Sequence, residues 1–392
     1  MNPHPVRPEQ GTELAEGPVS KGLQPPPPPF AWHMPVQLRF GSGCTQGLTS
    51  DLHDRSVLVL AFEPAEALGL QAAWSLALGP RLLTWISVPE GLSTLALART
   101  LSARVWPLLA AQPEAVLLAL GGGSVLDIAK LLRSVPASGD FESIAAALRG
   151  TAPWPALRPA ALWLVPTTAG TGSEVTRWAT VWDTDGRVAL KRSFDEPWGF
   201  ADRAFVDPEL TLSAPAALTR DTALDSFAHA LEAIWNRHAN PLSDALAVQA
   251  ARRVRAHLAG VLAEPAALAG REQLSLAALE AGLAFAQTRT ALAHALSYAL
   301  TLEQGVPHGL AVATWLPTAC RLAVGRDAGI DARLQAVFEV PAVECAAALQ
   351  TWLASLGVAT DPAAHGVHDG EARVQAALSS VRGRNFIGAE LA

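Results

Sequence analysis

One stretch of the sequence decides the fold: residues 115–130, AVLLALGGGSVLDIAK. Its apolar start, 115–120, is typical of a buried strand, and three glycines then lead into a helical segment. Consecutive glycines let the backbone approach a ligand closely, and the first turn of the helix leaves N–H groups free to bind a pyrophosphate. The stretch therefore predicts a strand–turn–helix unit with a dinucleotide as candidate ligand. A tight connection without a ligand is the alternative, since neither GxGxxG nor a P-loop is present.

Similar apolar runs lie on both sides, at 56–62 and 160–165, and a helical segment is predicted at 93–109. Strands that alternate with helices predict a parallel α/β sheet. From about Thr211 onward, Ala- and Leu-rich helical periodicity replaces the strand-like runs. We therefore predict three regions: a Pro-rich tail (1–30) outside the fold, an α/β domain (31–208) and an all-helical domain (209–392), with a cleft between the two domains.

A second loop with ligand-binding chemistry follows the third strand-like run, at residues 166–176, PTTAGTGSEVT. Its small hydroxyl side chains and glycines can hydrogen-bond phosphate or ribose oxygens. Ligands of open α/β sheets bind outside the carboxyl ends of the strands, where both loops are predicted to lie. The alternative is a polar loop without a ligand.

The helical half carries a candidate metal site. Asp225 and His229 have the i, i+4 spacing that places both side chains on one helix face. His294 follows in a helical stretch, and His308 is expected in a loop between helices. Three imidazoles and a carboxylate can bind Fe(II) or Zn(II) and leave a position open for substrate. Spacing alone does not bring the four together, and a lone helical histidine is more often structural.

Composition narrows the class of protein. The 392 residues carry a formal net charge of -7, which argues against nucleic acid or an anionic membrane as partner. No apolar run has the ~20 residues of a membrane-spanning helix. The N-terminus lacks the pattern of a secretory signal, and the three cysteines are too scattered for a disulfide framework. We therefore expect a cytoplasmic protein that acts on a small molecule.

Four motifs occur in order: GGGSVLDIAK, PTTAGTGSEVT, DTALDSFAHALEA and HALSYALTLEQGVPHG. Together they resemble the iron-containing (group III) alcohol dehydrogenase family, over nearly everything after residue 30. The resemblance implies the dehydroquinate synthase-like fold, with a Rossmann-like N-terminal domain that binds NAD or NADP and an all-α C-terminal domain that binds a metal. It also implies a metal-dependent, NAD(P)-linked alcohol dehydrogenase or aldehyde reductase. By analogy with the family, a homodimer is one expected assembly.

The resemblance also implies roles for individual residues. The cofactor-binding positions would be Gly121, Gly122, Gly123, Ser124, Asp127, Thr167, Thr168, Thr171 and Lys191. The ligands of Fe2+ or Zn2+ would be Asp225, His229, His294 and His308. Neither the choice of metal nor that between NAD and NADP follows from these residues.

Many family members have a second histidine four residues after the third ligand, where this chain has Tyr298. Tyr298 and His294 are the candidate catalytic residues, since a phenol can donate a proton. A tyrosine packed within the helix is the alternative.

The surrounding sequence, with WNRHANPLSDALA and RGRNF, looks like the phosphonoacetaldehyde reductase branch, which forms 2-hydroxyethylphosphonate in phosphonate biosynthesis. The first candidate to bind the phosphonate group is Arg289, and the second is Arg237. The alternatives are a reductase of ordinary short-chain aldehydes, a lyase of the dehydroquinate synthase type and a non-catalytic binding module.

Overall fold

The computed structural model describes residues 29–186 and 189–389. The predicted tail falls almost entirely on residues 1–28, which lie outside the described part of the chain. The first half alternates strands and helices, in chain order β1 (Gln37–Phe40), α1 (Leu48–Leu52), β2 (Val57–Phe62), α2 (Leu70–Leu78), β3 (Leu82–Val88), α3 (Leu95–Ala111), β4 (Val116–Gly121), α4 (Gly123–Leu132), β5 (Ser134–Pro136), α5 (Phe141–Leu148), β6 (Leu157–Pro159), β7 (Ala161–Pro166), β8 (Trp178–Asp183), β9 (Leu190–Asp195) and β10 (Arg203–Val206).

Within the described residues, six of these strands form a parallel sheet in the order β1-β10-β7-β4-β2-β3. The three strands predicted from the sequence are β2, β4 and β7, and each begins and ends within one residue of its predicted bounds. They lie next to one another in the middle of the sheet, and β4 is buried along its whole length. Outside this sheet, β5 pairs antiparallel with β6, and β8 pairs antiparallel with β9.

The second half is helical, as predicted. Its helices are α6 (Ala216–Ile234), α7 (Pro241–Ala263), α8 (Leu268–Thr288), α9 (Leu292–Gln304), α10 (His308–Ala323), α11 (Ala328–Phe338), α12 (Cys345–Ser355) and α13 (Gly370–Leu378). Helix α6 supplies much of the buried core, including Phe227, Leu231 and Ile234, each fully buried. Among the described helices, none combines the length and the apolar character that a membrane crossing requires.

From Trp32 onward, the described residues of both halves belong to one compact unit. The loop after β7 touches the helical half at Gly172, whose φ of +60° is in the left-handed region. A Cβ at this position would lie 2.6 Å from the Cα of Gly282 in α8. The sequence prediction of a boundary at 208/209 stays a prediction, although the segment between β10 and α6 contains it.

We expect Gly172→Ala to destabilise the protein, because alanine would combine a strained φ with overlap against the α8 backbone. Strain of this kind costs about 1–3 kcal/mol. The matched control is Gly260→Ala in α7, where nothing lies within 4 Å of the added methyl group. That change should stabilise by roughly 0.5–1 kcal/mol, since glycine is unfavourable inside a helix. Urea unfolding measures both free energies; equal shifts of the same sign would contradict the prediction.

Candidate active site

Three imidazoles surround one carboxylate oxygen in the helical half. Asp225 and His229 lie one turn apart on α6, and His294 lies in the first turn of α9. The Nε2 atoms of His294, His308 and His229 are 3.4, 3.7 and 3.8 Å from Asp225 Oδ1. The structure therefore brings together all four predicted metal ligands. His308, expected in a loop, is instead the first residue of α10, where Pro307 at the N-cap directs the chain into the helix.

The donor set fits a divalent metal ion. Among the described residues, Asp225 Oδ1 and His294 Nε2 are buried and have no hydrogen-bond partner. One ligand atom from each of Asp225, His229 and His294 lies within 4.8 Å of the others. Ligands about 2.1 Å from a tetrahedral ion lie roughly 3.4 Å apart, close to the observed separations. Unpartnered polar atoms at this spacing are what a site for Fe(II) or Zn(II) requires.

Burial and neighbouring charges favour the metal-binding forms of His229 and Asp225. Burial lowers the pKa of His229 to about 4, so this imidazole is neutral and offers a lone pair at neutral pH. Burial tends to raise the pKa of Asp225, but His229, His294 and His308 bring it well below its ordinary value. The cluster thus presents an anionic oxygen beside imidazole nitrogens.

Glu232 holds His294 in place, and this role of Glu232 was not predicted from the sequence. Its Oε2 accepts hydrogen bonds from His294 Nδ1 (2.7 Å) and from the backbone N–H of Ala291 (2.6 Å). Its Oε1 accepts from the N–H groups of Ala293 (2.5 Å) and His294 (3.2 Å). A proton held on Nδ1 leaves Nε2 free to face the metal site. Glu232 follows Asp225 by seven residues, so helical periodicity had already placed it on the same face.

The two glycine-rich turns lie side by side at the carboxyl ends of β4 and β7. Gly121 pairs with Pro166, and Thr167 N–H donates to the Gly121 carbonyl (3.0 Å). A Cβ on Gly123 would lie 2.6 Å from the Thr171 methyl group, so only glycine allows this approach. A Cβ on Gly122 would likewise lie within contact distance of the Thr168 side chain.

Helix α4 begins at Gly123, and no side chain caps its N-terminus. Ser124, in its first turn, is exposed. Asp127 is already bonded within the protein: it accepts from the hydroxyl of Ser173 (2.8 Å) and the N–H of Thr180 (2.8 Å). Asp127 therefore ties α4 to the second loop, and its contact with a cofactor stays a prediction. The N–H groups of the first turn of α4, which no side chain caps, are suited to a pyrophosphate.

Lys191 lies against the ring of Tyr298, next to the metal cluster. Its Nζ is 3.9 Å from the centroid of the Tyr298 ring, and that ring is nearly parallel to the imidazole of His308, with centroids 6.4 Å apart. The Tyr298 hydroxyl is buried and, among the described residues, has no hydrogen-bond partner. Tyr298 is therefore adjacent to the metal cluster, with an O–H group free to meet a ligand.

The two predicted phosphonate contacts are engaged elsewhere. Arg289 has an unusual φ of +69°, and its guanidinium is 3.0 Å from Asp195 Oδ2. Arg237 donates from Nε to the carbonyl of Phe386 (3.1 Å) and so holds the closing segment of the chain. A different arginine of that segment, Arg382, lies beside Tyr298 at 5.1 Å from the ring centroid. Arg382 is the first residue of RGRNF, and no role was predicted for it from the sequence.

Comparisons with known proteins cover both halves. Residues 35–208 match the family model described as iron-containing alcohol dehydrogenase, and residues 219–386 match that of the Fe-containing alcohol dehydrogenase family, C-terminal. The chain is 34% identical over 206 residues to a sulfoacetaldehyde reductase from Bilophila wadsworthia (52% of this chain, 51% of that protein). It is 34% identical over 218 residues to a 1-propanol dehydrogenase from Salmonella typhimurium (55% and 53%). The chain thus spans about half the length of the curated relatives it matches.

Solved structures resemble the whole described fold. The crystal structure of sulfoacetaldehyde reductase from Bifidobacterium kashiwanohense in complex with NAD+ superposes with a TM-score of 0.82 at 24% identity, covering 91% of this chain and 94% of that one. An iron-containing alcohol dehydrogenase from Thermotoga maritima superposes with a TM-score of 0.72 at 25% identity, covering 92% and 96%.

Proposed function

The chain belongs to the iron-containing alcohol dehydrogenase family, and from that premise we propose that it reduces an aldehyde to a primary alcohol, using NADH or NADPH and a divalent ion. The observation that carries the proposal is the meeting of three imidazole Nε2 atoms around Asp225 Oδ1. The named dehydrogenases and reductases among its relatives support the same reaction class.

In this proposal, Asp225, His229, His294 and His308 hold the ion. When bound there, the ion would supply Lewis acidity and the reduced nicotinamide would supply the hydride. Glu232 keeps the His294 proton on Nδ1. The buried phenol of Tyr298 has its O–H free to donate a proton to the oxygen of the product.

The cofactor is proposed to bind along the carboxyl edge of the sheet. Gly121, Gly122 and Gly123 allow the backbone to approach the pyrophosphate, and the free N–H groups at the start of α4 bind it. Ser124 and the hydroxyls of Thr167, Thr168 and Thr171 surround the same edge. Gly170 of this loop packs against Thr222 on α6, one turn before Asp225, so the cofactor loop and the metal helix are in contact.

The proposed substrate is phosphonoacetaldehyde, which would become 2-hydroxyethylphosphonate. The resemblance around Tyr298 and the basic side chains near it support this choice. Arg289 stays a candidate contact, although its guanidinium forms an ion pair with Asp195. Arg237 is the second candidate. The alternative is a reductase of ordinary short-chain aldehydes, which the likeness to 1-propanol dehydrogenase favours.

The test is oxidation of NADH and NADPH with phosphonoacetaldehyde, sulfoacetaldehyde, acetaldehyde and butyraldehyde. We expect the Fe(II)- or Zn(II)-loaded protein to turn over phosphonoacetaldehyde fastest and the chelated protein to lose activity toward every aldehyde. Equal or faster turnover of the neutral aldehydes would remove the phosphonate assignment and keep the dehydrogenase. Full activity after chelation would contradict the metal-dependent reaction itself.

A further inference from the structure

Two cationic side chains share the ring of Tyr298. Lys191 Nζ lies 3.9 Å from the ring centroid, and the guanidinium carbon of Arg382 lies 5.1 Å from it. Lys191 comes from β9 and Arg382 from the turn after α13, so tertiary folding brings together residues far apart in the chain. Like charges this close repel each other, and burial together with Arg382 lowers the pKa of Lys191 to about 7.

In the described part of the chain, neither cation forms an ion pair within 4.0 Å with an Asp or Glu; the Asp225 charge acts on Lys191 and the Glu232 charge on Arg382 from farther away. Other arginines of the chain do pair with carboxylates: Arg177 and Arg289 share Asp195, and Arg149 and Arg192 share Asp183. Lys191 and Arg382 are both half-buried, and two like charges held against one ring repel each other unless an anion joins them. The arrangement therefore points to an anionic ligand.

The pair lies at the metal cluster. The Tyr298 ring, which both cations contact, is nearly parallel to the imidazole of His308. The Asp225 charge also acts on Lys191. An anionic group bound by Lys191 and Arg382 would thus lie near the position where an aldehyde oxygen meets the metal site. A divalent ion there would add positive charge to the same side of the cleft and strengthen the attraction.

We infer that Lys191 and Arg382 form an anion subsite. It binds the phosphonate or sulfonate group of a short aldehyde substrate, while the carbonyl group of the same substrate faces the metal ligands. This inference rests on the proposed function and names the residues that select the substrate. Lysine supplies a point charge and arginine a planar fork of donors, and together they match a phosphonate or sulfonate group.

The kinetic test compares Arg382→Gln with the matched control Arg384→Gln, an exposed arginine two residues away. The measured quantity is the ratio of kcat/KM for phosphonoacetaldehyde to kcat/KM for butyraldehyde, with sulfoacetaldehyde as a second anionic substrate. We expect Arg382→Gln to lower the ratio on the order of 10- to 100-fold, as for loss of a charge-assisted bond. Arg384→Gln should leave it unchanged, and Arg382→Lys should restore part of it. An unaltered ratio in Arg382→Gln would overturn the subsite.

Binding gives a second readout that needs no turnover. Calorimetry measures the Kd of ethylphosphonate and of ethanesulfonate for wild-type and Arg382→Gln protein loaded with Zn(II) and NAD+. Weaker binding of either anion by the variant supports the subsite, and the tighter of the two identifies the preferred group. Equal Kd values, or weaker binding of NAD+ alone, would overturn it. A wild-type protein that reduces no aldehyde yet binds these anions through Arg382 would refute the proposed function and leave the subsite standing.

Discussion

Replacing His294 with alanine is expected to abolish retention of the divalent ion and turnover together. The His294 Nε2 atom is the nearest of the imidazole nitrogens to Asp225 Oδ1, at 3.4 Å, and the side chain is almost completely buried. Without it, the donor set has two imidazoles, and the ion that would supply Lewis acidity at this site would no longer be held. Losing several kcal/mol of transition-state stabilisation corresponds to a fall in kcat/KM on the order of a thousandfold or more.

Metal content by elemental analysis and kcat/KM for each aldehyde test this expectation on the same preparation. The control is His238→Ala, at an exposed histidine outside the site. Circular dichroism establishes that the variant is folded, which matters because Glu232 loses its partner in His294→Ala. A folded variant that keeps its metal and its activity would refute the assignment of His294 as a ligand.

The second large effect is expected from Glu232→Gln, which changes shape little and removes one acceptor. The carboxylate accepts two N–H bonds on each oxygen. A glutamine must turn its NH2 group toward one of these pairs of donors. His294 then loses either the hydrogen bond at Nδ1 or the backbone hydrogen bonds that position it. Loss of such an outer partner lowers metal affinity or activity about 10- to 100-fold.

A purely structural role would lower stability without altering the metal site, so two measurements separate the possibilities. The Kd for Zn(II) and the visible spectrum of the Co(II)-loaded protein report on the metal site, and urea unfolding of the metal-free protein reports on the fold. Glu280→Gln on α8 is the matched control, because Glu280 pairs with Arg253 away from the site. Unchanged metal affinity and spectrum in Glu232→Gln would show that Glu232 only supports the fold.

The sequence predicted the centre of the sheet well and its edges poorly. Strands β2, β4 and β7 are covered on both faces, so their sequences are continuous apolar runs with a plain signal. Strands β1 and β3 lie at the edges, and β1 is largely exposed, so its four residues mix polar and apolar types. The alternating pattern that would identify such short strands is too brief to separate them from loops.

Local patterns also determined the separate parts of the site. Glycines after β4, the hydroxyl loop after β7 and the i, i+4 pair of Asp225 and His229 each have a spacing that the sequence shows directly. The same periodicity had placed Glu232 on the face of Asp225, although its role depends on α9. The order of the four motifs predicted the family that the comparisons then established.

Tertiary structure alone decided which side chains meet. His294 and His308 join Asp225 because α9 and the start of α10 dock on α6, and helical periodicity carries no information about docking. Arg289 was predicted from its closeness in sequence to His294, but an unusual φ turns it toward Asp195. Arg382, remote in sequence, reaches Tyr298 instead. Spacing describes one element at a time, whereas a site forms from the packing of several, and packing depends on contacts between residues distant in the chain.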